Sequence, residues 1–170
     1  MGGRKPVRME ELRRRLLSLG LTDVATVKAS GNVVFEAPMQ APAAIAGRIE
    51  EALRELTGGE VRVFLRSRAE LEEIVADGPF AQRPPKGDTP YVTFLLEPPS
   101  SFARTPFRSP MGEVTVVRVR RREVYSLCRR VGNRVGFPNA YVEKLTGGPA
   151  TTRGWPTVTE IAEAYPIQPG

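Results

Sequence analysis

The residues whose types and spacing favour binding chemistry lie near the C-terminal end, in the run Thr151-Thr152-Arg153-Gly154-Trp155. Hydroxyl and guanidinium groups here precede a predicted helix, whose first backbone N–H groups are unpaired and carry partial positive charge. That combination can bind a phosphate or a carboxylate. The same residues also suit structural roles, in which the threonines satisfy a turn, Arg153 meets water and Trp155 packs in the core. The run therefore predicts an anion site, with a structural role as the alternative.

Turn and helix signals surround this run. Gly147-Gly148-Pro149 ends the preceding helix, because glycine permits positive φ and proline cannot continue the helical ladder. Pro156 suits the first turn of a new helix. Thr157 and Glu160 have the spacing of a capping box, so we expect the last helix to begin beside the candidate site.

The composition argues against most catalytic chemistry. The chain has no histidine and one cysteine, so a catalytic triad with histidine, a usual zinc site and a disulfide framework are all excluded. Cys128 lies in an apolar alternating run, which indicates a buried side chain rather than a nucleophile. No cofactor or metal is expected. An enzyme would depend on Lys144, Tyr141 or Glu143, which a helix could equally present to solvent.

Positive charge is concentrated in the second half of the chain. Residues 101–136 contain nine arginines but only two acidic residues, Glu113 and Glu123. Such a segment suits a polyanionic partner, because neutralised phosphates release counterions. It equally suits a solvated surface. Arg118 and Arg120 share the more exposed face of a predicted strand, yet the stacking aromatics of RNA-binding plaits are missing at that strand.

Apolar periodicity predicts alternating helices and strands in the first half. A helix spans residues 9–19, a hairpin spans 23–29 and 32–36 around Gly31, a second helix spans 45–56, and a strand spans 60–66. One further strand in front would complete βαββαβ, the ferredoxin-like plait. We expect the first sheet to lack that strand in this chain.

The second half repeats this order. A helix begins at Ser67, a buried strand spans 91–96, a hairpin spans 113–119 and 124–129, and a short helix spans 139–146 before the last helix. The sequence thus predicts an α+β protein with antiparallel sheets and two tandem ferredoxin-like subdomains, residues 1–66 and 67–170. No run approaches the length of a membrane span and the N-terminus has no signal-peptide pattern, so we expect a cytoplasmic protein without a membrane partner.

Two short runs carry a resemblance to a known family. Ser-Gly-Asn-Val-Val-Phe (30–35) and Ala-Thr-Thr-Arg-Gly-Trp (150–155), within longer similar segments at both ends, resemble the bacterial family of uncharacterised proteins DUF1697. The resemblance implies two ferredoxin-like subdomains in a small cytoplasmic protein. It implies no reaction and no catalytic residues.

The resulting hypothesis is a non-enzymatic module that binds an anionic small molecule or nucleic acid. Its candidate ligand-binding residues are polar or basic and lie at turns and helix starts: Arg4, Lys5, Asn32, Arg134, Asn139, Thr151, Thr152, Arg153 and Trp155. One alternative is an enzyme that acts on a small phosphorylated or carboxylated compound in a cleft between the subdomains. Another is a structural protein that forms homodimers through the exposed edge of the first sheet.

Overall fold

A computed structural model describes residues 7–28, 31–38, 40–80 and 84–164. The chain divides into two compact units: unit 1 comprises residues 1–68 and 160–170, and unit 2 comprises residues 69–159. This division places the end of the last helix with unit 1. The predicted assignment of residues 1–66 and 67–170 to two ferredoxin-like subdomains stays a prediction.

The described residues of unit 1 up to position 57 form two helices and a hairpin: α1 (Met9–Ser18), β1 (Thr22–Thr26), β2 (Val33–Glu36) and α2 (Pro42–Thr57). The helical spacing of apolar residues produces its core, because it gives each helix one buried face. That core contains Leu12, Leu16, Leu21, Val24, Ile45 and Ile49. Helix α2 ends at Gly58, whose φ of 74° is a left-handed cap that glycine adopts without a steric penalty.

The hairpin of unit 1 is antiparallel, with Thr26 opposite Val33. The prediction of a further strand at 60–66 is wrong, since this segment has no regular secondary structure. Val63 and Leu65 do pack against the core, as their alternation indicates. The backbone N–H of Val63, however, donates to the Glu50 carboxylate at 3.0 Å. Alternation determines which side chains are buried, whereas a ladder needs a neighbouring strand, and the described residues provide none.

The remaining elements lie wholly or mostly in unit 2. In chain order they are α3 (Arg68–Ala76), β3 (Thr89–Leu95), β4 (Phe107–Arg108), β5 (Val114–Arg120), β6 (Glu123–Cys128), β7 (Arg130–Val131), β8 (Arg134–Val135), α4 (Asn139–Thr146), β9 (Ala150–Gly154) and α5 (Trp155–Glu163). Helices α3 and α5 each cross a boundary between the units. Strands β7 and β8 form a separate two-stranded ribbon.

The main sheet of unit 2 has five strands in the order β4-β5-β6-β3-β9, and all neighbours are antiparallel. Its central strands are buried on both faces. One face carries Leu95, Val116 and Val124, which pack with Val142 of α4. The other face meets α3 through the ion pairs described below. The protein is therefore a mixed α+β protein with antiparallel sheets, and none of its described helices is long and apolar enough to cross a bilayer.

The segment expected to be a turn is an edge strand. Residues 150–154 form β9, in which Thr152 lies opposite Thr93 and Arg153 lies opposite Val92. Helix α5 begins at Trp155, so Thr157 lies inside the helix and the predicted capping box is wrong. Local turn signals missed the strand because its ladder is formed with β3, about sixty positions earlier in the sequence.

Candidate anion-binding surface

The arginines of residues 101–136 fall into two groups in the structure. Five of them pair with carboxylates of α3, of the adjoining Asp77 or of the loop before β3. Arg118 and Arg120 each lie 3.1 Å from an Asp77 oxygen. The remaining pairs are Arg121 with Glu73, Arg122 with Glu70 and Arg129 with Asp88.

Two of these ion pairs lie on the face of β5 that the sequence predicted to be the more exposed one. Arg118 lies opposite Tyr125 on β6, so it shares the face on which the ring of Phe80 packs against Tyr125, with 6.0 Å between centroids. The Asp77 carboxylate, which follows α3 along the chain, reaches this face and pairs with both arginines. Arg118 and Arg120 therefore do not form an unpaired basic strip on an open sheet.

The second group consists of four exposed arginines: Arg104, Arg108, Arg130 and Arg134. None of their side chains forms an ion pair or hydrogen bond with another residue in the described ranges. Arg104 lines an open groove of about 500 Å³ together with Phe102 and Arg121. These four cations remain available for an anionic partner.

Two of these arginines lie on the β7–β8 ribbon. Arg130 is opposite Val135, and Val131 is opposite Arg134. The two-residue turn between the strands begins with Gly132, whose φ of 59° suits a type II′ hairpin turn, in which glycine occupies the first central position. The sequence named Arg134 as a candidate, but it did not single out Arg130.

Thr152 and Asn139, both predicted ligand residues, lie together inside unit 2. The Thr152 hydroxyl donates to Asn139 Oδ1 at 2.8 Å and lies 2.8 Å from the Thr93 hydroxyl. Because a hydroxyl has one proton, Thr93 is the donor to Thr152. The Asn139 amide then donates to the Glu143 carboxylate at 2.7 Å. These four side chains form one directed chain of hydrogen bonds from the sheet to α4.

The other residues of the candidate run also have contacts within unit 2. The Arg153 guanidinium donates to the Thr151 hydroxyl at 2.8 Å and to the Thr152 carbonyl at 2.9 Å. Burial lowers the pKa of Arg153 from its ordinary value. The Trp155 ring packs edge-on against Phe80, with centroids 5.3 Å apart. These contacts support a structural role for residues 151–155.

The remaining predicted ligand residues lie elsewhere. Asn32 is buried in unit 1, where its backbone carbonyl accepts a hydrogen bond from the backbone N–H of Val27 at 2.9 Å. Arg4 and Lys5 lie outside the described residues. No described hydrogen bond or ion pair joins Arg134 to the run at 151–155. A single site shared by all these residues stays a prediction.

Two side chains of unit 2, Cys128 and Tyr125, have raised pKa values that favour their protonated forms. Burial, followed by the charges of Asp88 and Glu113, raises the pKa of Cys128 to about 12. Burial also raises the pKa of Tyr125 to about 12, with Glu123 as the next cause. Both groups are therefore neutral at physiological pH. In the described ranges no group of three or more cysteine, aspartate or glutamate side chains could hold a metal ion.

The fold and its surface define a two-unit α+β protein with unpaired arginines in its second unit. Residues 1–125 match the model of the family described as "Protein of unknown function (DUF1697)", and the chain belongs to that family. The resemblance drawn from the sequence is thereby confirmed.

Comparison with solved structures supports the fold. The chain is similar to the conserved bacterial protein SP0830 from Streptococcus pneumoniae, with a TM-score of 0.64 and 16% sequence identity. The similarity covers 96% of this chain and 91% of that one. At this level of identity the match supports the fold alone. No curated protein matches the sequence.

Proposed function

We propose that this protein is a non-enzymatic module that binds nucleic acid through the unpaired arginines of unit 2. The observation that carries the proposal is the division of the arginines in residues 101–136. Five pair with four carboxylates, whereas the side chains of Arg104, Arg108, Arg130 and Arg134 are exposed without a described partner. Exposed guanidinium groups without internal partners can pair with phosphates and release counterions.

The test is salt-dependent binding of fluorescently labelled oligonucleotides, measured by anisotropy between about 50 and about 200 mM salt. The variant Arg130→Ala/Arg134→Ala should weaken binding. It should also reduce the slope of log K against log salt by about 0.7 for each arginine on a single strand.

A matched control removes the same charge elsewhere. Arg14 and Arg62 are exposed arginines of unit 1 without a described ion pair, and their double alanine variant should retain the wild-type slope. Equal losses in both variants would indicate a general charge effect and would overturn the assignment to unit 2. No binding at the lowest salt would overturn the proposed function.

Self-association is a second candidate, supported by the edges of unit 1. Strand β2 pairs with β1 alone among the described residues, and residues 61–65 form no strand there. Free backbone groups on a sheet edge invite pairing with another chain. Light scattering coupled to size-exclusion chromatography tests this, because a strict monomer across protein concentrations contradicts a dimer formed through β2.

We also propose that both units are variants of the ferredoxin-like plait. In unit 2 the order β9-β3-β6-β5 places the last strand beside the first and the third beside the second, as in the plait. Helix α4 connects β6 to β9, while the connection from β3 to β5 carries β4 in place of a helix. In unit 1 the order helix, strand, strand, helix supports the same interpretation. An experimental structure with another strand order would contradict it.

A further inference from the structure

Exposed apolar side chains accompany the unpaired arginines of the β7–β8 ribbon. Val131, Val135 and Phe137 are all exposed, and 54% of Phe137 is accessible to water. The Phe137 ring contacts Tyr91 with centroids 5.3 Å apart and planes at 86°. An aromatic ring that is both exposed and positioned by a second ring can stack on a planar partner.

The backbone around Phe137 is firmly attached to unit 2. Gly136 and Pro138 on either side are buried. The Gly136 N–H donates to the Arg129 carbonyl at 3.2 Å. A Cβ on Gly136 would lie 2.3 Å from the Glu113 carbonyl oxygen, so the chain approaches its neighbour closely at this point. Phe137 is therefore presented on a fixed backbone, which reduces the ordering cost of binding.

Cationic residues accompany this ring in the sequence. The segment from Arg129 to Asn139 contains three arginines and no acidic residue. Cross-strand neighbours share a face, so Arg130 lies with Val135 and Arg134 lies with Val131 on the other face. Positive charge is thus available on both faces of the ribbon, within a few residues of Phe137.

We propose that the ribbon and the ring that follows it, residues 130–137, bind single-stranded nucleic acid. One base stacks on Phe137 while phosphates on either side of that base pair with Arg130 on one face of the ribbon and with Arg134 on the other. This rests on the proposed function and names its ligand. Platforms for single strands combine basic grooves with exposed aromatic rings, because every base has a π face.

The alternatives fit the same surface less well. In a duplex the faces of the bases are covered by their neighbours, and strands of two residues form too short a ribbon to read a major groove. A membrane surface favours a broad apolar face, as on an amphipathic helix. The ribbon instead offers one exposed ring and two valines that lie on opposite faces.

The test compares a labelled single-stranded oligonucleotide of about 12 nucleotides with its matched duplex. Phe137→Ala should weaken single-strand binding by roughly 5- to 160-fold, the factor that corresponds to one base stacked on an aromatic ring. Met111→Ala is the control, since Met111 is also 54% exposed but is not aromatic and lies outside residues 130–137. It should bind as the wild type does. Phe137→Trp should retain binding, and its indole fluorescence should be quenched by the stacked base.

Three results would overturn this inference. If the strand and the duplex bind equally and Phe137→Ala matches Met111→Ala, then stacking is wrong, although loss in the arginine variant would still support the proposed function. If no oligonucleotide binds, both proposals fail together. If vesicles with anionic lipids bind in a Phe137-dependent manner and single strands do not, then the partner of the ribbon is a membrane.

Discussion

The hydrogen-bond chain of unit 2 provides the sharpest prediction about stability. Replacing Thr152 by valine retains the shape of the side chain but removes the hydroxyl that links Thr93 to Asn139. Thr93 is fully buried and Thr152 is 7% exposed, so water cannot readily replace the lost partner. We therefore expect Thr152→Val to destabilise unit 2 specifically.

The magnitude follows from the two bonds that disappear. The Thr93 hydroxyl, which is fully buried, loses its partner at a cost of about 1 to 3 kcal/mol, and the lost bond to the half-buried Asn139 contributes about 1 kcal/mol more. The free energy of unfolding should therefore fall by about 2 to 4 kcal/mol. Thr93→Val removes the hydroxyl that Thr152→Val leaves without a partner. The double variant should therefore lose less stability than the sum of the two single effects.

Urea unfolding monitored by tryptophan fluorescence measures this effect. The chain has a single tryptophan, Trp155, whose ring packs on Phe80 in unit 2. Thr159→Val is the matched control, because the Thr159 hydroxyl makes an exposed bond within its own helix. That control should change the free energy of unfolding by less than about 0.5 kcal/mol. A Thr152→Val effect no larger than the control, or strict additivity with Thr93→Val, would refute the reasoning.

Three further predictions concern the packing and charges of unit 2. Gly136→Ala should destabilise the unit by about 1 to 3 kcal/mol through its contact with a backbone carbonyl, whereas Gly148→Ala, with no atom near its added Cβ, should not; urea unfolding compares them. Above pH 9, the ordinary pKa of the thiol, the unfolded chain loses the Cys128 proton while the folded chain retains it up to about pH 12. Stability should therefore fall by about 1 kcal/mol per pH unit more in the wild type than in Cys128→Ala, and equal alkaline losses would contradict this. Asp77→Asn removes the carboxylate that pairs with Arg118 and Arg120, so oligonucleotide binding at low salt should strengthen. Unchanged affinity would argue against a role of Asp77 in reducing the positive charge of these arginines.

Local sequence signals were sufficient for most helices. The bounds of α4, Asn139–Thr146, agree with the prediction, and α2 ends before the glycine pair at 58–59 as expected. Both results depend on interactions within a few residues, namely helical apolar spacing and the left-handed freedom of glycine. The β5–β6 hairpin was predicted for the same reason, because its two strands are adjacent in sequence. The surface of residues 130–137 was not predicted, apart from the choice of Arg134 as a candidate residue.

The sequence by itself determined the composition of this protein's surface and core: the absence of histidine, the excess of arginine between residues 101 and 136, and the apolar faces of its helices. Tertiary structure alone decided which arginines remain unpaired and whether residues 150–154 form a turn or a strand. The pair of Arg122 and Glu70 joins residues 52 positions apart, and β9 is a strand because β3 lies beside it. Charge and periodicity are properties of short segments, whereas ion pairs and ladders depend on distances that the folded chain creates.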